Sequence, residues 1–195
     1  LAARRWDEAI REFGRVAALP GEAAMALSAI GAVHLEKQEY EEAIGFFTRS
    51  AQIDADNRLA HVGRGLALFG LEQYVGAEEE AYILFRLSPF DSDALVLFGN
   101  VQARTGRHWN ATFAFQLALS RNPGDQFTHK CYGIARFLAG DLEGAIFHTA
   151  RAIELDPKDV WAQTNMCGFL GERGELQQAI NACERAIQID PNVAG

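Results

Sequence analysis

The sequence has few cysteines, few basic clusters and no long apolar run. It holds 3 cysteines in 195 residues, Cys131, Cys167 and Cys183, and none of them forms a Cys-x-x-Cys pair. This spacing indicates neither a disulfide framework nor a zinc or redox site. We therefore expect the cysteines to be reduced thiols in the core, which favours a reducing compartment.

The charge balance argues against nucleic acid as a partner. The chain has 26 acidic and 18 basic residues, a net charge of -8, and no basic cluster longer than Arg4-Arg5. Nucleic-acid affinity depends largely on Lys and Arg at phosphates. No apolar run is long enough to span a membrane, and no signal segment opens the chain. A cytoplasmic protein is expected, although a periplasmic or membrane-tethered form stays open because Leu1 is not an initiator Met.

Signatures of catalysis are also missing. The sequence has no Gly-rich phosphate loop that ends in Gly-Lys-Ser/Thr, no His-Glu-x-x-His and no Gly-x-Ser-x-Gly. The 5 histidines are scattered, and helical core or surface positions explain them better than metal binding does. We expect a non-catalytic protein without a cofactor or a metal site.

What the sequence does contain is a repeat with a period of 34 residues. Alanine recurs at this spacing at Ala9, Ala43, Ala77, Ala111, Ala145 and Ala179. A second column of small residues holds Gly31, Gly65, Gly99, Gly133 and Cys167. A third column holds Gly21, Ala55, Pro89, Pro123, Pro157 and Pro191. Three columns in one register indicate a repeat array.

The columns divide the chain into a partial repeat and five full repeats. Residues 1–23 are predicted to contain the end of one helix, a turn and a second helix. The full repeats are predicted at 24–57, 58–91, 92–125, 126–159 and 160–193. Each is expected to contain two helices joined by a short polar turn.

The ends of the first four full repeats have the chemistry of helix caps. Asn57, Asp91, Asp125 and Asp159 each precede an apolar-periodic run, two residues after the Ala55/Pro column. Their side-chain oxygens can accept hydrogen bonds from the free N–H groups of the next helix. No stretch alternates with period two for long enough to indicate a strand, so an all-α fold of stacked antiparallel helix pairs is predicted.

This pattern resembles the tetratricopeptide repeat over essentially the whole chain. The residues that carry the resemblance are the three columns together with Phe13, Phe47, Phe115, Ala118, Ala152 and Ala186. The resemblance implies a right-handed superhelical solenoid whose first helices line a concave groove that binds proteins or peptides. It does not extend to the clamp for chaperone tails or to the asparagine ladder of sugar-transferase arrays, because the matching positions hold mostly small or apolar residues.

The first helices are apolar on more sides than packing within one repeat requires. The predicted groove residues are Leu59, Val62, Leu66, Phe69, Val96, Asn100, Phe127, Lys130, Ile134 and Trp161. Neighbouring repeats could instead bury part of this stripe. We expect a mainly apolar groove with a few amide and ammonium groups, suited to an amphipathic helix or an extended peptide with apolar anchors.

Two alternatives remain open at this point. The repeats could be a regulatory or substrate-recruiting domain of a larger enzyme. They could also form a scaffold that self-associates through its ends into a homo-oligomer, because the last helix has an apolar face containing Ile180, Ile187 and Ile189.

Overall fold

The computed structural model describes residues 2–19 and 21–194, and the regular structure of these residues is entirely helical. Eleven α-helices lie in the described ranges: α1 Ala2–Val16, α2 Ala23–Glu36, α3 Tyr40–Ile53, α4 Arg58–Gly70, α5 Tyr74–Leu87, α6 Ser92–Arg104, α7 His108–Arg121, α8 Gln126–Leu138, α9 Leu142–Leu155, α10 Val160–Arg173 and α11 Leu176–Ile189. A short 3-10 helix follows at Pro191–Ala194. The predicted all-α fold is confirmed.

The predicted caps define where the first helix of each later pair begins. The side chains of Asn57, Asp91, Asp125 and Asp159 accept a hydrogen bond from the backbone N–H three residues later, at 3.1, 2.9, 2.8 and 2.9 Å respectively. These bonds satisfy donors that a helix N-terminus otherwise leaves free. The capping prediction is confirmed at all four positions.

The turns inside the helix pairs share one backbone conformation. The residue at the equivalent place in each period has a positive φ: Gln38 (60°), Glu72 (59°), Gly106 (77°), Gly140 (79°) and Gly174 (84°). Glycine adopts this left-handed conformation without a steric penalty, whereas a side chain costs roughly 1–2 kcal/mol. Each of these five helix pairs therefore contains the predicted short turn, with backbone strain in the first two.

The start of the chain differs from the prediction. Helix α1 runs without interruption from Ala2 to Val16, so the described residues contain no turn ahead of a second helix. The segment Ala2-Ala3-Arg4-Arg5 consists of strong helix formers and has no glycine or proline to stop a helix. Leu1, the first residue of the predicted partial repeat, lies outside the described residues.

The chain forms two compact units, and the first is Leu1–Val101. In it, α2 packs on α3, α4 packs on α5, and α3 contacts α4. One core cluster contains Ala43, Phe47, Ala60 and Ala67. A second core cluster contains Ala77, Ala81, Leu84, Ala94, Leu97 and Val101. The alanine column thus lies where helices meet, since Ala43 and Ala77 are fully buried.

The second unit is Gln102–Gly195. In it α8 packs on α9 and α10 packs on α11, with α10 also contacting α9. Ala145 is fully buried at the first of these crossings. A Cβ added to Gly133 would lie 2.5 Å from Oγ1 of Thr149 and 3.2 Å from the carbonyl oxygen of Ala145. The glycine column therefore permits close approach of the two helices at this pair.

The expectation of three reduced thiols is wrong for two of them. Cys167 on α10 and Cys183 on α11 form a disulfide, with their Cα atoms 5.2 Å apart, while Cys131 remains a buried thiol. Cys167 occupies the small-residue position where the two helices cross, and this approach brings the Cα atoms within the usual range for a disulfide. The cysteines therefore do not favour a reducing compartment.

Candidate partner-binding surfaces

In the first unit, the predicted groove residues lie on α4 and α6. Leu59 is 46% exposed, whereas Val62, Leu66 and Phe69 are partly buried against the core cluster of Ala77, Ala81, Leu84, Ala94, Leu97 and Val101. Phe69 also contacts the ring of Tyr74, with centroids 5.6 Å apart. Leu59 is thus the most exposed of the predicted groove residues on α4. The other three are partly buried in the core and partly exposed to solvent.

On α6 the prediction fails for one residue. Val96 is only 4% exposed, and its neighbours Leu95 and Leu97 are buried with it. Consecutive helical residues point about 100° apart, so burial of all three leaves no open face at this level of the helix. Val96 belongs to the core and is not available to a partner. Asn100, one turn later, is partly exposed.

In the second unit, the predicted residues form an open aromatic surface. Phe127 on α8 is 45% exposed and Trp161 on α10 is 63% exposed. They are 34 residues apart in the sequence, so they occupy the same position in successive repeats. Ile134 is partly buried, and the neighbouring Phe137 stacks on Phe169 with ring centroids 4.7 Å apart. We call Phe127, Ile134, Phe137 and Trp161 the first-helix surface.

Lys130 does not present a free ammonium on this surface, contrary to the expectation from the sequence. Its Nζ atom donates to Oδ2 of Asp159 at 2.6 Å and lies 5.4 Å from the centroid of the Phe127 ring. Gln126 donates to the same carboxylate oxygen at 2.6 Å. The positive charge is therefore neutralised, and the pair joins α8 to the start of α10.

The carboxylate of Asp159 is held in its charged form. Burial alone would raise its pKa, but hydrogen bonds from Lys130, from the backbone N–H of Ala162 and from Gln126 outweigh burial and lower it. In the first unit, Arg58 makes a comparable link. It donates to Asp91 at 2.5 and 3.0 Å and also pairs with Asp93. These links fix the first helices of neighbouring repeats within each unit.

Polar side chains also occur inside the helix pairs. In the first unit, Nε2 of His61 lies 2.9 Å from the carbonyl oxygen of Ala55, and Nδ1 lies 2.7 Å from Oε2 of Glu80. A carbonyl oxygen only accepts, so Nε2 carries a proton. Arg64 donates twice to the other oxygen of Glu80, at 2.8 and 2.5 Å. This buried network holds α4 against α5.

In the second unit, the equivalent network contains two histidines. Nε2 of His129 lies 3.1 Å from the carbonyl oxygen of Pro123, and Nδ1 lies 3.1 Å from Nδ1 of His148. Burial, and then the charges of His129 and Arg136, lower the pKa of His148 to about 4. His148 is therefore neutral near pH 7.

The sequence interpretation missed an exposed aromatic group on the second helices. Trp109 is 77% exposed on α7 and stacks on Phe113 with ring centroids 5.8 Å apart. Phe147 on α9 is exposed as well and lies one period after Phe113. Their shared position in the repeat could have revealed these residues. We call Trp109, Phe113 and Phe147 the second-helix surface.

The apolar face predicted on the last helix is partly open. Ala179 and Ala186 of α11 are buried, whereas Ile180, Ile187 and Ile189 are 50%, 43% and 37% exposed. The small residues of this helix thus serve the core, and the larger ones are accessible.

Neither a metal site nor a membrane span is found in the described ranges. No cluster of three or more His, Cys, Asp or Glu side chains there is arranged to hold a metal ion. Likewise, none of the described helices combines the length and the apolar composition needed to cross a membrane.

Comparison with known proteins identifies tetratricopeptide repeats at both ends of the chain. Two family models, both described as tetratricopeptide repeat, match residues 1–58 and 169–193. Anaphase-promoting complex subunit 3 of Schizosaccharomyces pombe is 25% identical over 158 residues. The match covers 81% of this chain but only 24% of that relative.

Solved structures share the fold at low sequence identity. The thermophilic TPR protein TTC0263 of Thermus thermophilus has a TM-score of 0.81 at 16% identity, over 88% of this chain and 93% of that one. YrrB, described as a TPR protein with an unusual peptide-binding site, has a TM-score of 0.57 at 21% identity, over 97% of this chain and 94% of its own. The two family models thus identify residues 1–58 and 169–193 as tetratricopeptide repeats, and the 34-residue period and the helix pairs continue the same pattern through the residues between them. The solved structures show that the fold is that of a tetratricopeptide repeat solenoid.

Proposed function

We propose that this chain is a non-catalytic protein-interaction module that binds a partner peptide or helix on the first-helix surface of its second unit. The observation that carries the proposal is the exposure of Phe127 and Trp161 at equivalent positions of neighbouring first helices. Large aromatic residues are enriched among the side chains that dominate binding energy at protein interfaces. Two such anchors side by side suit an apolar stretch of a partner.

The surroundings of the two aromatic rings support this role. Lys130 is held by Asp159, so the partner would meet little unpaired charge next to Phe127. Ile134 and Phe137 extend the apolar area along α8. Burying a large apolar side chain fully contributes about 1.5–3 kcal/mol, from which the cost of ordering the partner is subtracted.

The first unit has exposed apolar residues at the same positions of the repeat, but they are not aromatic. Leu59 is exposed, and Met25 occupies the same position one period earlier and is 64% exposed. We propose that Leu59 is an anchor, with Val62, Leu66 and Phe69 as its partly buried surroundings. Asn100 offers a partly exposed amide on α6.

The comparisons support a binding role in general terms. Tetratricopeptide repeat proteins are generally interaction scaffolds, and no feature of the described residues indicates catalysis. One relative is named as a subunit of a complex, and YrrB is described as having a peptide-binding site. The chain covers 24% of the curated relative, so that relative's partners do not transfer to it.

Two other arrangements remain proposals. The repeats could recruit substrates or regulators for a larger enzyme, and the large length difference from the curated relative is compatible with this alternative. The chain could also self-associate through Ile180, Ile187 and Ile189, which are exposed on α11. Light scattering over a range of concentrations tests self-association, because a monomer at every concentration would exclude it.

The proposal is tested by affinity capture with a matched control. The double variant Phe127→Ala/Trp161→Ala and the control Trp109→Ala/Phe113→Ala each remove two exposed aromatic side chains from the same unit. We expect proteins captured from the source lysate by the wild-type chain to be lost with the first variant and kept with the control. Equal capture by both variants, or loss with the control alone, would contradict the proposal.

A further inference from the structure

We propose that the second unit carries a further peptide site, a cleft between α9, α10 and α11 that binds an extended segment with apolar side chains. The cleft has a volume of about 480 Å³. Its apolar lining comes from all three helices and includes Ile146, Ile153, Met166, Leu170 and Ala182. The other half of the lining is polar or charged and includes Glu154, Gln178, Asn181 and Arg185 besides the two residues discussed below. Pockets of this size that combine apolar side chains with converging polar groups are typical of ligand sites.

A buried acceptor without a donor points to a ligand. Gln163 lines the cleft and is only 2% exposed. Its Nε2 atom donates to the carbonyl oxygen of Pro157 at 3.3 Å, while its Oε1 atom has no partner among the described residues. Buried polar atoms in folded proteins are nearly always hydrogen-bonded, so this unpaired oxygen, on a residue that lines the cleft, is an exception that a bound donor would resolve.

Comparison with the equivalent positions shows why this acceptor is unpaired. His61, His129 and Gln163 occupy one position of the repeat. Each of the two histidines hydrogen-bonds to a polar side chain 19 residues later, His61 to Glu80 and His129 to His148. The corresponding residue for Gln163 is Ala182, which lines the same cleft. The short alanine side chain both opens the space and removes the polar partner.

A second unpaired group lies at the other end of the cleft. Arg173 uses its terminal nitrogens for Glu143 and Glu175, whereas its buried Nε has no partner within the described part of the chain. Gln163 and Arg173 are ten residues apart on one helix, which separates them by about 15 Å along the axis.

These two groups select an extended peptide as the occupant. About 15 Å corresponds to four or five residues of an extended chain at about 3.3 Å each. A peptide backbone supplies both the N–H that Oε1 of Gln163 lacks and the carbonyl that Nε of Arg173 lacks. Alternate side chains of an extended segment point to the same side, where they can contact apolar lining residues such as Met166 and Leu170.

This site is distinct from the first-helix surface. Trp161 and Gln163 are two residues apart on α10, so they point about 200° apart around the helix axis. A ligand in the cleft and a partner on the first-helix surface would therefore contact opposite sides of α10. Failure of one site would leave the other untouched.

The experiment uses the two methionines of the chain, Met25 and Met166, labelled with ¹³C at their methyl groups. The probe is the capped peptide acetyl-Ser-Leu-Ser-Leu-Ser-amide. We expect a saturable shift of the Met166 signal and none of the Met25 signal, which belongs to the first unit. The same peptide with both leucine nitrogens methylated lacks two backbone donors and should bind at least tenfold more weakly, since one hydrogen bond corresponds to about tenfold in affinity.

Two variants test the assignment. Ala182→His supplies a polar partner as His148 does and fills the cleft, and Gln163→Leu removes the acceptor. Each should weaken probe binding at least tenfold, with an unchanged circular dichroism spectrum and melting temperature showing that the fold is kept, whereas Trp161→Ala should leave binding unchanged. An unmoved Met166 signal in the wild-type chain, or undiminished affinity in the folded Ala182→His variant, would overturn the proposal.

Discussion

The packing of Phe47 between two helices makes a quantitative prediction about Gly63. Phe47 on α3 is fully buried. A Cβ added to Gly63 on α4 would lie 2.1, 2.4 and 2.5 Å from Cζ, Cε1 and Cε2 of that ring. These distances are far inside van der Waals contact, so in Gly63→Ala either the ring or the helix must move.

The expected magnitude follows from two opposing effects. Overpacking a closely packed core costs about 1–3 kcal/mol, and the very short distances place Gly63→Ala at the upper end. Replacing a mid-helix glycine by alanine returns about 0.5–1 kcal/mol. We therefore expect a net loss of about 2 kcal/mol in the free energy of unfolding. Gly45→Ala on α3 is the control, because nothing lies within 4 Å of its added Cβ, and it should stabilise the protein slightly.

A double-mutant cycle identifies the ring as the cause. Phe47→Leu removes the aromatic edge and should cost about 1–2 kcal/mol by leaving a cavity. In the double variant the new methyl group enters this space, so the loss should be about 1–2 kcal/mol smaller than the sum of the single losses. Urea unfolding followed by circular dichroism measures all four proteins. Additive losses, or a Gly63→Ala variant as stable as Gly45→Ala, would refute the reasoning.

Three further predictions concern a turn, the disulfide and a buried histidine. Glu72→Gly should raise the free energy of unfolding by about 0.5–1 kcal/mol, because Glu72 has a φ of 59°, and an unchanged urea midpoint would contradict this. The Cys167–Cys183 bond links residues 16 apart, so reducing it should lower the free energy of unfolding by about 3 kcal/mol. A reductant should therefore lower the melting temperature of the wild-type chain but not that of the Cys167→Ser/Cys183→Ser variant. The pKa of His148 is about 4 in the folded protein, compared with an ordinary value of 6.5. The neutral ring therefore stabilises the fold above pH 6.5, and this contribution to the free energy of unfolding is lost as the pH falls towards 4. His148→Gln replaces the titrating ring with a neutral amide that can still hydrogen-bond to His129. It should reduce the acid-induced loss of stability by about 1–2 kcal/mol, a value lowered for solvent screening at the partly exposed ring, whereas an identical pH profile would contradict the assignment.

The parts of the fold that depend on local chemistry were predictable from the sequence. Asn57 and Asp159 cap helices because a side-chain oxygen reaches an N–H three residues later, whatever the rest of the chain does. The turns at Gly140 and Gly174 likewise need only the backbone freedom of glycine. With the period of 34, such signals are sufficient to predict the helix pairs.

The surface was less predictable because exposure depends on the neighbouring helices. Val96 has the same apolar character and repeat position as Val62, yet it is buried while Val62 is partly open. The charge of Lys130 is neutralised by Asp159, a residue 29 positions away that the sequence identified only as a helix cap. The sequence did not predict the Cys167–Cys183 disulfide, because its formation depends on how closely α10 and α11 approach each other at these two residues.

The central claim is that Phe127 and Trp161 anchor a protein partner. The most direct measurement is the dissociation constant of the captured partner by isothermal titration calorimetry, for the wild-type chain, for Phe127→Ala/Trp161→Ala and for the control Trp109→Ala/Phe113→Ala. About half of each anchor is open to solvent, so the first variant should lose about 2 kcal/mol of binding energy, or about 30-fold in affinity, with little change in melting temperature. Wild-type affinity in the Phe127→Ala/Trp161→Ala variant, or a larger loss in the control, would contradict the account.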